Sequence, residues 1–320
     1  MVSGMAAPAT APALRPAFQA PARPRLRPLS PTIVMVANAN ATQVVRHPEL
    51  VDGARRLLRA TGASVDVHVT STLDELGAVL SEAGRRVVLV GGDGSLHAAA
   101  NIPGPKPELA LLPAGGANNV ARSLGIPTDL SAAARLAVAG HAHSVDLIAA
   151  RTATRRHLVV EGVSAGFHAL ARADYHGTNS SDLGAAVRAG IAAVARFKPL
   201  VVGLELDGEF HVVRIGQLFA ANLPLFGPGL QVAPGADPTD GLMDVVAIDV
   251  NGRRSLLPLA SRLRRGDHLG RPGVTRLTAR RMRIATGGRS PIIGDTTNLG
   301  SGSVELTVVP GALEIVGGRQ

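Results

Sequence analysis

The chain has 320 residues, 46% of them hydrophobic, enough for one large or two smaller cores. Aromatic residues make up only 2% and Cys and Trp are absent. Disulfides, thiolate metal sites and cysteine nucleophiles are therefore excluded, and platforms for stacking nucleic-acid bases are scarce. The formal net charge of +9 favours phosphate or an anionic surface as partner, or reflects an arginine-rich surface without a specific role.

Residues 1–30 are rich in Ala, Pro and Arg and lack the apolar segment of a secretory signal, so they read as a disordered basic leader. Residues 31–144 alternate in type. Strands are expected at 32–37, 64–70, 86–90 and 108–112, and helices at 47–61 and 73–83. Repeated strand–turn–helix units predict an α/β domain with a mostly parallel sheet, whose ligands bind at the carboxyl ends of the strands. Asn38, Thr70, Gly91-Gly92-Asp93-Gly94-Ser95 and Gly115-Gly116-Ala117-Asn118-Asn119 all stand at such ends, and so converge on one crevice. The first glycine run follows the apolar Val87-Val88-Leu89-Val90 and opens a helix over 96–101 with Ser95 as its cap; the second opens a helix over 120–124. Strand, glycine turn and helix together form a phosphate cradle, because glycine admits close approach and the helix start offers free N–H groups. An acid inside that cradle, Asp93, points to a metal-bound nucleotide or to proton transfer.

From residue 145 to 303 short apolar runs dominate, at 145–150, 157–163, 200–206, 211–220, 243–248 and 275–284. They predict an antiparallel β-sandwich with helical insertions at 182–195 and 255–264. Residues 304–320, with the run 304–309, read as a terminal strand returning to the first domain. Arg beside Leu in 255–265 is suited to peripheral contact with an anionic membrane, or is simply a solvated face. The basic stretch 253–289 lacks aromatic residues, which argues against nucleic acid as partner.

Four segments in order carry a family resemblance: Gly91-Gly92-Asp93-Gly94-Ser95-Leu96-His97; residues 113–127, beginning Pro113-Ala114-Gly115-Gly116; Val163-Ser164-Ala165-Gly166-Phe167-His168-Ala169; and residues 233–244, including Asp237-Pro238-Thr239-Asp240-Gly241-Leu242. The chain resembles the diacylglycerol kinase catalytic-domain family, which includes bacterial lipid kinases and sphingosine kinases. The resemblance implies ATP- and Mg²⁺-dependent phosphorylation of a lipid hydroxyl, with the nucleotide in a cleft between the two domains. It implies a cytoplasmic protein meeting its lipid at a membrane surface, with an apolar groove near Phe167, Phe226 and Leu230; a homodimer is left open. By motif position Asn38, Thr70, Gly91, Gly92, Asp93, Gly94, Ser95, Gly115, Gly116 and Asn118 surround the nucleotide. Asp237, Asp240 and the carbonyl of Leu242 match a metal-binding turn, which the residues alone also allow to be an ordinary Asx turn.

The chain departs from the family pattern at Ala98, usually Glu; at Gly116, usually Thr; and at Asn119 and His168, both usually Asp. The family's Asp-Gly-Glu near the C-terminus is replaced by Gly294-Asp295-Thr296-Thr297. Asp93 and Asp295 are thus the remaining candidates for the catalytic base. The alternative is a nucleotide-binding relative with weak or no kinase activity; an NAD kinase fits less well, because 117–120 matches its Asn-Glu-Asp segment poorly.

Overall fold

The computed structural model describes residues 32–173 and 183–318; the 1–30 leader and Asp182 lie outside the described residues. Strands β1 (Thr32–Asn38), β2 (Ser64–Thr70), β3 (Arg86–Gly91) and β4 (Glu108–Pro113) pair in parallel in the order β2-β1-β3-β4. Their apolar runs are nearly continuous because both sheet faces are covered. One face, with Met35, Val88 and Ala110, packs against Ala54 and Leu58 of α2 (Glu49–Ala60) and the alanines of α6 (Leu130–Ala139). The other, with Val36, Leu89 and Leu111, packs against Leu76 and Leu80 of α3 (Leu73–Glu82) and Leu96 of α4 (Asp93–Asn101). Thr72 and Glu75 close a capping box at the start of α3. The helix expected over 47–61 is α2, which starts after Pro48, and an unexpected short helix α1 (Thr42–Arg46) precedes it. The helix expected over 120–124 is α5 (Asn119–Ser123).

Beyond α6 come β5 (Ala142–Arg151), β6 (Arg156–Val159), β7 (Gly162–Gly166), α7 (Phe167–Ala173), α8 (Leu183–Arg196), β8 (Leu200–Leu206), β9 (Glu209–Ile215), β10 (Gln217–Ala221), β11 (Leu225–Phe226), β12 (Leu230–Gln231), β13 (Met243–Ile248) and α9 (Leu256–Arg265). The chain closes with β14 (Val274–Ala279), β15 (Arg281–Ala285), β16 (Ile292–Gly294), β17 (Thr297–Asn298) and β18 (Ser303–Val316). Among the described residues β14-β13-β10-β7-β16-β17 form an antiparallel sheet. It packs face to face on β5, β8, β15 and β18, with Ile148, Leu204, Ile284 and Leu306 meeting Val163, Leu218 and Met243. The predicted α/β domain followed by an antiparallel sandwich is the architecture the chain adopts.

Three apolar runs that read as single strands are each two strands in different sheets. Residues 157–163 divide into β6 and β7, 211–220 into β9 and β10, and 275–284 into β14 and β15. The breaks fall where the chain crosses from one layer to the other, and hydrophobicity is uninterrupted there because both layers face the same core. Strand β18 joins the two halves of the molecule. It is antiparallel to β5 and β15, passes an irregularity between Val309 and Leu313, and then pairs in parallel with β4 through Ile315 and Val316.

Candidate active site

The two glycine-rich turns touch each other at the carboxyl ends of β3 and β4. A Cβ on Gly92 would lie 2.8 Å from the Gly115 Cα, and one on Gly115 would lie 2.6 Å from the Gly92 Cα, so only glycine allows the crossing. Gly94 and Gly116 face open space. The start of α4 therefore points N–H groups without intrahelical partners into an accessible region. Ser95 does not cap this helix: α4 begins at Asp93 with Gly92 as N-cap, and Ser95 is buried in the first turn under Gly91. Beside the cradle is a cavity of about 230 Å³ lined by Val36, Asn38, Thr70, Leu89, Ser95 and Ala98, among others. The structure thus brings Asn38, Thr70 and Ser95 from three strand ends onto one wall. Asn118 turns inward instead. It adopts a left-handed backbone, accepts from the Gly115 N–H and donates to the Gly115 carbonyl, holding its own loop in shape.

Asp93 does not face the cradle with free oxygens. Its carboxylate accepts from the N–H groups of Asn119 at 3.0 Å and Val120 at 2.9 Å, closing the start of α5 and tying the two turns together. Asp295, in a left-handed conformation, is more completely engaged. One oxygen accepts from the Val160 N–H at 2.8 Å, and the other from Glu161 at 2.8 Å and Gly162 at 3.3 Å. It clamps the corner where the chain passes from β6 to β7.

That corner carries a group the sequence did not single out. Glu161 is buried, with its Oε2 accepting from the Asn119 amide at 2.8 Å and its Oε1 lying 3.3 Å from His97 Nε2. The same imidazole nitrogen stands 3.6 Å from Asp295. These are ion-pair separations rather than aligned hydrogen bonds, and the other ring nitrogen, Nδ1, is buried without a partner. Burial disfavours the His97 imidazolium, but the carboxylates of Asp295, Glu161 and Asp93 outweigh it and raise its pKa to about 9. Burial raises Glu161 to about 7, opposed by His97 and reinforced by Asp93 and Asp295. A lone Glu between Val160 and Gly162 leaves no periodic signal, so only the fold reveals it.

His168, where the family pattern has an acid, belongs to an aromatic cluster with Phe219 and Phe226, and its Nδ1 lies 2.9 Å from Ser164 Oγ. Burial lowers its pKa to about 4, so it is neutral at physiological pH. Phe226 is fully buried there, whereas Phe167, edge-on to Phe197, and Leu230 are half-buried beside it.

The turn holding Asp237 and Asp240 is closed by protein donors. Asp237 accepts from the Thr239 N–H and hydroxyl, Asp240 from the Leu242 N–H, and the buried Asp146 bridges the N–H groups of Gly241 and Gly311. Among the described residues no three acidic or histidine side chains converge to hold a metal ion. With one oxygen of each of Asp237 and Asp240 committed to these hydrogen bonds, the turn offers a cation at most a sparse oxygen set.

Comparison with known proteins agrees with this geometry. Residues 32–150 match the diacylglycerol kinase catalytic domain, and residues 161–317 match the YegS C-terminal NAD kinase beta sandwich-like domain. A probable lipid kinase YegS-like protein of Shewanella frigidimarina is 32% identical over 60% of this chain, which spans 64% of that relative's length. A diacylglycerol kinase of Mycobacterium tuberculosis is 29% identical over 75% of this chain and 79% of its own. A crystal structure of a Bacillus anthracis diacylglycerol kinase superposes with a TM-score of 0.66 at 16% identity, covering 90% of this chain and 97% of that one; at that identity it speaks for the fold alone. Residues 32–150 belong to the diacylglycerol kinase catalytic-domain family, and residues 161–317 carry the YegS-type C-terminal domain.

Proposed function

We propose that this protein transfers the γ-phosphoryl group of ATP to the hydroxyl of a membrane lipid, diacylglycerol or a related lipid alcohol. The crossing of the two glycine turns beside the cavity of Asn38, Thr70 and Ser95 carries this reading. Phosphoryl transfer requires positioning and charge neutralisation more than covalent chemistry, and a glycine cradle at a helix start provides the first. Bound Mg²⁺ would supply the second at the nucleotide. Asn38, Thr70 and Ser95 would orient the nucleotide through their side-chain polar groups, and Gly92, Gly94 and Gly116 would leave room for the phosphates.

Contact with the lipid surface is assigned to α8 and α9. Val187 and Ile191 of α8 and Leu257 of α9 are strongly exposed; Arg188 stands on α8, Arg264 on α9, and Arg253 and Arg254 on the short 3-10 turn just before α9. Arg253 donates to the Ala195 carbonyl, which links the two. Apolar side chains beside arginine suit an anionic membrane. No helix among the described residues is long and apolar enough to cross one.

The test is transfer of label from γ-labelled ATP to mixed lipid vesicles with Mg²⁺. A labelled lipid that is lost on removing anionic lipid, and lost in Leu257→Glu, supports both parts of the reading. Saturable Mg-ATP binding without a labelled product would instead favour a nucleotide-binding relative without kinase activity. That second reading draws on one observation: Asp93 and Asp295 both spend their carboxylates on backbone N–H groups.

A further inference from the structure

We infer that Glu161 is the proton acceptor of the phosphoryl-transfer site, a carboxylate supplied from the β6–β7 corner in place of the one missing at position 119. The inference rests on the kinase reading above and identifies the base that reading lacks.

The argument begins at Asn119. An Asp there, as the family pattern has it, would face the Glu161 carboxylate at hydrogen-bond distance and repel it. The amide instead donates to Glu161 Oε2 at 2.8 Å and to the Gly227 carbonyl at 2.7 Å. One acid and one amide occupy the pair, with the acid on the opposite partner. The pair is coupled to the phosphate cradle, because the Asn119 N–H donates to Asp93, which directly follows the Gly92 crossing.

Glu161 is also held as a reacting group must be. Its N–H donates to Asp295, and its carbonyl accepts from the N–H groups of Asn222 at 2.9 Å and Leu223 at 3.1 Å, so its backbone is fixed from both sides. Its carboxylate, unlike those of Asp93 and Asp295, meets side chains: those of Asn119 and His97. The side chain is buried, 7% exposed. The charged groups facing it are His97 and Asp93 from α4 and Asp295 from the β16–β17 turn. Burial within this set moves its pKa to about 7, where a carboxylate is both available and basic enough to take an alcohol proton.

In the step, the lipid hydroxyl oxygen bonds to the γ-phosphorus and the bond from that phosphorus to the β–γ bridging oxygen breaks, its electron pair leaving with ADP. The hydroxyl proton passes to Glu161 and is lost to solvent after the products leave. His97 is a positioning residue that balances the carboxylate's charge.

The experiment compares wild type, Glu161→Gln and the exchange variant Asn119→Asp/Glu161→Asn for lipid phosphorylation across pH 5.5–9 (about one reading per half unit), with Mg-ATP thermal shifts on each. Glu161→Gln is expected to lose about 10²–10⁴-fold in kcat, to keep its ATP thermal shift, and to lose the acidic limb of the pH–rate profile near 7. The exchange variant, which returns the acid to position 119, is expected to recover about tenfold or more over Glu161→Gln. A Glu161→Gln protein that turns over within about threefold of wild type with an unchanged profile overturns the assignment. Should that variant not fold, the exchange variant decides: turnover supports the assignment and its absence overturns it. A wild-type protein that binds Mg-ATP but phosphorylates no lipid overturns the kinase reading, and this role with it.

Discussion

Asp295 and Glu161 are two buried acids, with side chains 1% and 7% exposed, and both lie against the His97 imidazole. They differ in what their oxygens do. Asp295 saturates itself with three backbone N–H groups, whereas Glu161 meets only side chains. A carboxylate locked to the backbone builds a corner; one held by side chains can exchange a proton without taking the fold apart. Burial alone does not separate a structural acid from a reactive one, and the identity of the donors does.

The largest effect that sharpens this contrast is on stability. Asp295→Asn leaves a single acceptor oxygen where three N–H groups need partners and leaves His97 short of one counter-charge. The expected loss is about 3–5 kcal/mol in urea unfolding, from buried donors left unsatisfied and a buried charge pair broken. If Asp295→Asn instead unfolds like wild type while turnover collapses, the division of labour between the two acids is wrong.

Next is the turn crossing. Gly92→Ala places a Cβ against the Gly115 backbone, so the loops must separate. A cost of about 1–3 kcal/mol is expected, with loss of the Mg-ATP thermal shift. Gly94→Ala, which meets nothing within 4 Å, is the control, expected to stay within about 1 kcal/mol of wild type.

The smallest effect is the pH dependence of His97. Its folded pKa, raised from 6.5 to about 9, means the folded protein binds more protons than the unfolded chain in that window. Stability is therefore complete below about 6.5 and falls as pH rises through about 9. Glu161 acts with the same sign from 4.5 to about 7, and His168 with the opposite sign from about 4 to 6.5, so of these three groups His97 is the one that titrates above 7. Wild type is expected to lose on the order of 1–2 kcal/mol between pH 7 and 9 in chemical unfolding, and His97→Gln to be flat there.

Much of the molecule was legible from the chain. Val87–Val90 followed by Gly91-Gly92 announces a buried strand and a glycine turn, because backbone preference and hydrophobic run length are local properties. The sheet-switching corners were not, since 157–163 and 275–284 stay apolar through the crossing and both layers share one core. Ser95 was misread as a cap because helix starts after glycine turns shift by one or two residues.

The sequence by itself determined the order of elements, the α/β domain and the sandwich, and the convergence of Asn38, Thr70 and the glycine turns. Each of these follows from periodicity, from glycine's backbone freedom and from the rule that places ligands at parallel strand ends. Only the tertiary structure decided which acids are free. Asp93, Asp295, His97, Asn119 and Glu161 are scattered over some two hundred positions of the chain, and their donors come from backbone brought alongside by other strands. A hydrogen-bond partner distant in sequence leaves no trace in composition or spacing, so the chemistry of this site was settled by folding.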